Sequence, residues 1–178
     1  SGTLKTEVTY ANGVKQGLAR HYYEFGTLFC EQPFVNDKLE GIQKEFYPNG
    51  LLKSESEFSA NKKSGFDRRY YQNGKLSAQY IYKQGKQEGP AATYFEDGRI
   101  ESEVNYKDGI LDGVCKYYYP IGKIRSEKFY ITGRAEGTLV FYYENGAIKA
   151  RVPFEKCKVQ GMWKFYDEKG DLLGEDMF

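Results

Sequence analysis

Residues that could transfer protons or bind metals are present in this chain, but they do not cluster. The one histidine, His21, falls on a predicted strand, where a lone histidine is usually a surface or packing residue. A calcium site needs six to eight oxygens converging on one point. The glutamates instead fall at one position of a 24-residue pattern, which Gln79 and Arg151 interrupt: Glu7, Glu31, Glu55, Glu103, Glu127 and Glu175. We therefore predict no metal site, no cofactor and no enzymatic activity.

Basic residues keep a fixed offset from these glutamates. Four of these glutamates are followed thirteen positions later by a basic residue. Lys164 continues the basic series, which is Arg20, Lys44, Arg68, Lys116, Lys164. This offset favours cross-strand ion pairs on a solvated face, worth about 0.2–1 kcal/mol each. The net charge of +1 argues against a nucleic-acid binder.

The three cysteines, Cys30, Cys115 and Cys157, occupy three different positions of the repeat. Cys115 and Cys157 are predicted to lie roughly 15–20 Å apart, too far for a disulfide. Free thiols are therefore expected, which favours a cytoplasmic location, with an exported form left open if a leader was removed. No apolar run approaches the ~20 residues that span a bilayer.

Two series of glycines show how these residues are organised. Both have a strict period of 24 residues, as Gly26, Gly50, Gly74, Gly98, Gly122, Gly146, Gly170 and as Gly17, Gly41, Gly65, Gly89, Gly113, Gly137, Gly161. We interpret residues 1–178 as a single repeat domain of seven 24-residue units followed by a partial eighth strand, 171–178. The units are 3–26, 27–50, 51–74, 75–98, 99–122, 123–146 and 147–170.

Each unit is predicted to be a β-hairpin. Asn-Gly or Asp-Gly at 49–50, 73–74, 97–98 and 145–146 indicates tight turns, interpreted as type I′ with positive φ at both central residues. The fold class is therefore all-β, an extended, twisted antiparallel meander of stacked hairpins. One strand position is small in every unit and is expected to face an aromatic ring of a neighbouring hairpin: Thr6, Cys30, Ser54, Ala78, Ser102, Ser126, Ala150, Gly174.

The stretch "YYQNGKLSAQYIYKQGKQEGPAATYF" at 70–95 resembles the MORN-repeat variant, and the resemblance extends over practically the whole chain. It implies an extended antiparallel β-sheet with a non-enzymatic role in binding or scaffolding. Bacterial members are commonly labelled YwqK-type antitoxins, and eukaryotic relatives are associated with membranes, phospholipids and dimerisation. Asp37, Asn61 and Cys157 replace a turn glycine of the pattern, so these three turns are expected to have a different geometry.

The second strand of each hairpin changes character along the chain. Alternate positions on this strand are polar or small in the first four units and become apolar in the last three, where Cys115 accompanies the others. We call the following set the apolar face and predict that it binds a partner: Tyr117, Leu139, Phe141, Trp163, Phe165. Three occupants are expected alternatives, namely the tail residues Leu172, Leu173, Met177 and Phe178 (or a curl of the sheet), a partner protein, or a second copy.

A second candidate site is basic. Lys62, Lys63, Arg68 and Arg69 are candidate contacts for anionic lipid, although interspersed acidic residues weaken the local field. The sequence thus predicts a non-catalytic protein-binding repeat protein, in its most specific form an antitoxin bound to a cognate toxin. The alternative is a scaffold associated with membrane lipid or with itself.

Overall fold

The structure, a computed structural model, describes residues 5–177. Throughout this range it is all-β, and the described part contains no helix, as the sequence predicts. The chain divides after Gln87 into two compact halves, here called unit 1 and unit 2. Each is larger than the 24-residue repeat units of the sequence. The seven repeat boundaries and the single repeat domain over 1–178 stay predictions.

Unit 1 is built from antiparallel strands, each pairing with the next long strand along the chain. Short two-residue strands flank the turns that close the hairpins. The strands are β1 (Thr6–Glu7), β2 (Tyr10–Ala11), β3 (Val14–Lys15), β4 (Gly17–Tyr22), β5 (Leu28–Val35), β6 (Lys38–Leu39), β7 (Gly41–Phe46), β8 (Leu52–Ser59), β9 (Lys62–Tyr70), β10 (Leu76–Lys83) and β11 (Lys86–Gln87).

Unit 2 repeats this arrangement of antiparallel neighbours. Its strands are β12 (Gly89–Tyr94), β13 (Ile100–Lys107), β14 (Ile110–Leu111), β15 (Gly113–Tyr118), β16 (Ile124–Ile131), β17 (Arg134–Tyr142), β18 (Ile148–Glu155), β19 (Lys158–Val159), β20 (Met162–Tyr166) and β21 (Leu172–Met177).

The Asn-Gly and Asp-Gly turns differ from the predicted type I′ geometry. Gly50 has φ +83, whereas Asn49 is not among the residues with positive φ. Gly50 N donates to Tyr47 O (2.8 Å) and Tyr47 N donates to Leu51 O (2.8 Å), which closes a three-residue loop. Asn49 Oδ1 accepts the Leu51 N–H (3.1 Å), so the asparagine favours the turn through its side chain. The hairpin prediction is confirmed and the turn type was wrong.

The other turn of each repeat has positive φ at both central residues, the type I′ signature. Where glycine is replaced the geometry is kept, with φ +62 at Asp37, +68 at Asn61 and +67 at Cys157. The expected change of geometry at these three turns was therefore wrong. Their side chains compensate by accepting a backbone N–H of the preceding hairpin, as Asn61 Oδ1 does from Leu39 N at 2.7 Å. Asp37 accepts from Lys15 N (2.7 Å) and Cys157 Sγ from Ala135 N (3.3 Å).

Small residues and rings alternate across the strands of unit 2. The directly paired residues run Ser102, Tyr117, Ser126, Phe141, Ala150, Phe165, Gly174. A Cβ added to Gly174 would lie 2.6 Å from Phe165 Cζ, so this ring covers the glycine. The small positions of unit 2 therefore accommodate neighbouring rings, as predicted. In unit 1 Ser54 is paired with Glu45 and Arg69 instead, so the prediction was wrong there.

Two tyrosine series cross-link the sheet, one between neighbouring strands and one between successive hairpins. Hydroxyls of one series donate to glutamates on the neighbouring strand, as Tyr70 does to Glu55 (2.8 Å) and Tyr142 to Glu127 (2.9 Å). Hydroxyls of the other series donate to a carbonyl 23 residues further on, as in Tyr119 to Tyr142 O (2.8 Å). The same glutamates form the predicted ion pairs, such as Arg68 Nη1 with Glu55 Oε1 (3.2 Å).

Candidate functional site

The predicted apolar face is assembled by two neighbouring rows of unit 2. Tyr117, Phe141 and Phe165 lie in the row of rings and small residues just described. Leu139 and Trp163 lie two residues before Phe141 and Phe165 on β17 and β20, and alternation puts them on the same side of the sheet. The structure therefore brings all five predicted residues onto one face.

This face is partly open to solvent. Phe141 is 36% exposed, and the other four side chains are half-buried. The rings of Trp163 and Phe165 lie 5.4 Å apart at 45°, in mutual contact. Cys115, which accompanies them, is fully buried at 0% exposure and belongs to the packing beneath.

The tail does not cover the apolar face as a cap. Residues 172–177 form β21, which pairs with β20 along the sheet. Leu172, Leu173 and Met177 are 52%, 62% and 71% exposed. Phe178, the fourth tail residue considered, lies outside the described residues. The described tail thus extends the strand order and leaves the rings open.

A concave surface adjoins Phe141. It encloses about 340 Å³ between Phe141, Tyr142, Tyr119 and two cations, Arg125 and Lys149. The Arg125 guanidinium lies 6.0 Å from the Tyr117 ring, and Lys149 Nζ lies 5.4 Å from the Tyr143 ring. The groove is therefore apolar with a cationic rim.

The predicted basic site is divided between the two sides of unit 1. Arg68 pairs with Glu55 and shares a side with Lys62, which is opposite Ser59. Lys63 and Arg69 lie on the other side, where both bind the carboxylate of Asp67. The four residues therefore do not form one basic surface.

The pattern of the MORN repeat variant matches six segments, residues 15–36, 39–60, 68–84, 87–108, 111–131 and 135–156. The chain belongs to this family. MORN repeats are in general non-catalytic and bind proteins or membranes. A comparison with curated proteins gave no match.

Other reactive residues of this MORN repeat chain have structural surroundings. His21 Nδ1 lies 3.3 Å from the Thr6 hydroxyl on the paired strand. The three thiols are free, and burial raises the pKa of Cys30 to about 11, with smaller contributions from Glu45 and Glu31. Among residues 5–177 no group of histidine, cysteine or carboxylate side chains could hold a metal ion. No helix in that range is long and apolar enough to cross a membrane.

Sequence reasoning missed one feature of unit 1. Asp67 is only 1% exposed, and its carboxylate binds Arg69 Nε (3.3 Å) and Lys63 Nζ beside a groove. The available signal was a charged residue at a position that is small or apolar in most other repeats.

Proposed function

We propose that this protein is a non-catalytic binding protein whose apolar face holds a partner protein. The observation that carries the proposal is the row of rings in unit 2, with Phe141 36% exposed and no cover from the described tail. Exposed patches of this kind mark interaction sites. Tyrosine and tryptophan are also the side chains that most often anchor protein interfaces.

The groove beside Phe141 suggests what the partner presents. Its apolar floor fits an inserted apolar side chain, and the rim cations Arg125 and Lys149 favour a neighbouring carboxylate. We therefore infer a partner segment that combines an apolar anchor with an acidic residue. The antitoxin role with a cognate toxin is a more specific form of this proposal, and it rests on the resemblance alone.

The test compares two double variants of the full chain. The first, Leu139→Lys with Phe141→Glu, alters the apolar face. The second, Val114→Lys with Phe129→Glu, alters two exposed residues that are paired directly with each other on the opposite side of unit 2. Candidate binding proteins are selected with the wild-type chain, and affinity is measured by calorimetry. We expect the first variant to weaken binding at least tenfold and the second to leave it unchanged.

Light scattering and far-UV circular dichroism complete the experiment. A wild-type dimer that becomes a folded monomer in the Leu139/Phe141 variant would identify self-association instead of a separate partner. Unfolding of that variant would show that the face is core and would overturn the proposal. Binding to anionic vesicles that weakens with salt and is unaffected by the variant would favour the lipid-associated scaffold.

A further inference from the structure

Unit 1 contains a buried charge that the repeat does not need for packing. Asp67 is 1% exposed, and three of the six equivalent positions hold Ala19, Ala91 and Cys115, which are buried to a similar degree. The other three hold Gln43, Leu139 and Trp163, so no other repeat has a charged side chain at this position. Burying a carboxylate is costly unless it is paired and hydrogen-bonded, which indicates that Asp67 has a role besides packing.

Asp67 positions two cations. Lys63 Nζ donates to Oδ2, and Arg69 Nε donates to Oδ1 at 3.3 Å. Aromatic rings support both, with Lys63 Nζ 5.2 Å from the Tyr82 ring and the Arg69 guanidinium 5.4 Å from the Tyr80 ring. Within residues 5–177 the two terminal nitrogens of Arg69 have no hydrogen-bond partner, so a preoriented fork remains available.

The fork lies at a polar groove of about 460 Å³, a volume typical of small-ligand sites. Ser54, Ser56 and Ser77 line it, and their hydroxyls form no hydrogen bond with any other described residue. Ser54 is the direct strand partner of Arg69 on one side and of Glu45 on the other. The groove thus presents a guanidinium, hydroxyls and a carboxylate in order across three strands.

The balance of charges selects the ligand. Lys53, Lys63 and Arg69 face two carboxylates, Glu45 and Asp67, which leaves one excess positive charge in the lining. A carboxylate matches the planar fork of an arginine with two parallel hydrogen bonds. A dianionic phosphate carries more negative charge than the one excess positive charge of the lining and would be repelled by Glu45 and Asp67. A monoanion carries one negative charge, which the lining can neutralise.

We propose that this groove binds a small hydroxylated monocarboxylate, with Arg69 holding its carboxylate and the serines and Glu45 its hydroxyl groups. The site lies in unit 1 and does not depend on the partner-binding role of unit 2. Asp67 acts here as a positioning residue for Arg69.

The probe is gluconate, a six-carbon monocarboxylate, and the matched control ligand is sorbitol, which has the same carbon chain without the carboxylate. The arginine Nε–H signals of the ¹⁵N-labelled full chain are followed during titration at constant ionic strength. We expect a saturable shift of the Arg69 signal with gluconate and none with sorbitol. Inorganic phosphate is expected to bind at least several-fold more weakly.

Two neighbouring arginines provide the matched variants. Arg69→Gln should weaken gluconate binding at least tenfold, because a charge-assisted bidentate contact is lost. Arg68→Gln makes the same charge change on the opposite side of the sheet and should leave affinity unchanged. Ser54→Ala keeps the Asp67–Arg69 pair and should weaken binding several-fold, which provides a second test if Arg69→Gln does not fold.

Three results would overturn the proposal. These are no saturable shift with gluconate, an equal loss in Arg68→Gln and Arg69→Gln, or tighter binding of inorganic phosphate than of gluconate. The last result would assign the groove to phosphate groups.

Discussion

Cys157 occupies a backbone position with φ +67 at which four equivalent turns have glycine. A non-glycine residue is disfavoured in this region, although asparagine and aspartate tolerate it better than most. The Cys157 sulfur accepts the Ala135 N–H at 3.3 Å, whereas Asn61 Oδ1 accepts the equivalent Leu39 N–H at 2.7 Å. Sulfur is a weak acceptor, so the cysteine turn should be the less stable of the two.

We therefore predict that Cys157→Asn raises the free energy of unfolding by about 1 kcal/mol. The reciprocal change Asn61→Cys should lower it by a similar amount. Urea denaturation of both variants measures the two differences. Changes of the same sign in both would show that neither backbone tolerance nor the acceptor explains the choice of residue.

Individual turn residues also show which features could not be predicted from the sequence. Asn49-Gly50 correctly indicated a turn, but the number of loop residues depends on which backbone groups pair, and composition does not determine that. At Asp37, Asn61 and Cys157 the loss of glycine suggested a changed turn. The hydrogen bond that preserves each turn goes to a strand about 22 residues away and has no local signature.

At the scale of hairpins and strands, the period of 24 residues predicted most of what the structure contains. Turns, strand alternation and the Glu55–Arg68 pairing all depend on contacts inside one repeat or between direct neighbours. The ladder formed by Tyr119 and its equivalents was not recognised, because it becomes visible only when the register between hairpins is known. The groove around Asp67 was missed for the same reason.

The tyrosine ladder allows a direct measurement of coupling between hairpins. Tyr119→Phe removes the hydroxyl that donates to Tyr142 O at 2.8 Å in a partly buried site. We expect a loss of about 1 kcal/mol in the free energy of unfolding. Tyr10→Phe is the control, because Tyr10 is 58% exposed and its hydroxyl forms no hydrogen bond with the described residues. Equal effects of the two changes would show that the ladder does not contribute to stability.

At the scale of the whole molecule, half-buried tyrosines contribute to the response to alkaline pH, together with the thiols of Cys30 and Cys115, whose pKa values burial also raises. Burial raises the pKa of Tyr118 to about 12, assisted by its hydrogen bond to Glu103. Burial and a hydrogen bond to a glutamate also raise the pKa values of Tyr70 and Tyr142. Unfolded tyrosine titrates near pH 10, so the folded state holds these protons more tightly.

The resulting stabilisation is fully present below pH 10 and is lost as pH rises through the folded-state pKa values. We therefore predict that the free energy of unfolding falls between about pH 10 and pH 12. Urea titrations at several pH values measure the slope, and Tyr118→Phe should reduce it. A Tyr118→Phe protein with the wild-type slope would contradict this assignment.

The hydrogen bonds that join successive hairpins within each unit span only 19 to 23 residues of sequence. An all-β protein usually brings together residues far apart in the chain, and it folds slowly because long loops must close first. Here the strands of each unit pair with partners less than one repeat length away, so the contacts are local for an all-β protein. Each unit should therefore fold faster than a β-sandwich of equal size, adding hairpins one after another from any part of the sheet that forms first.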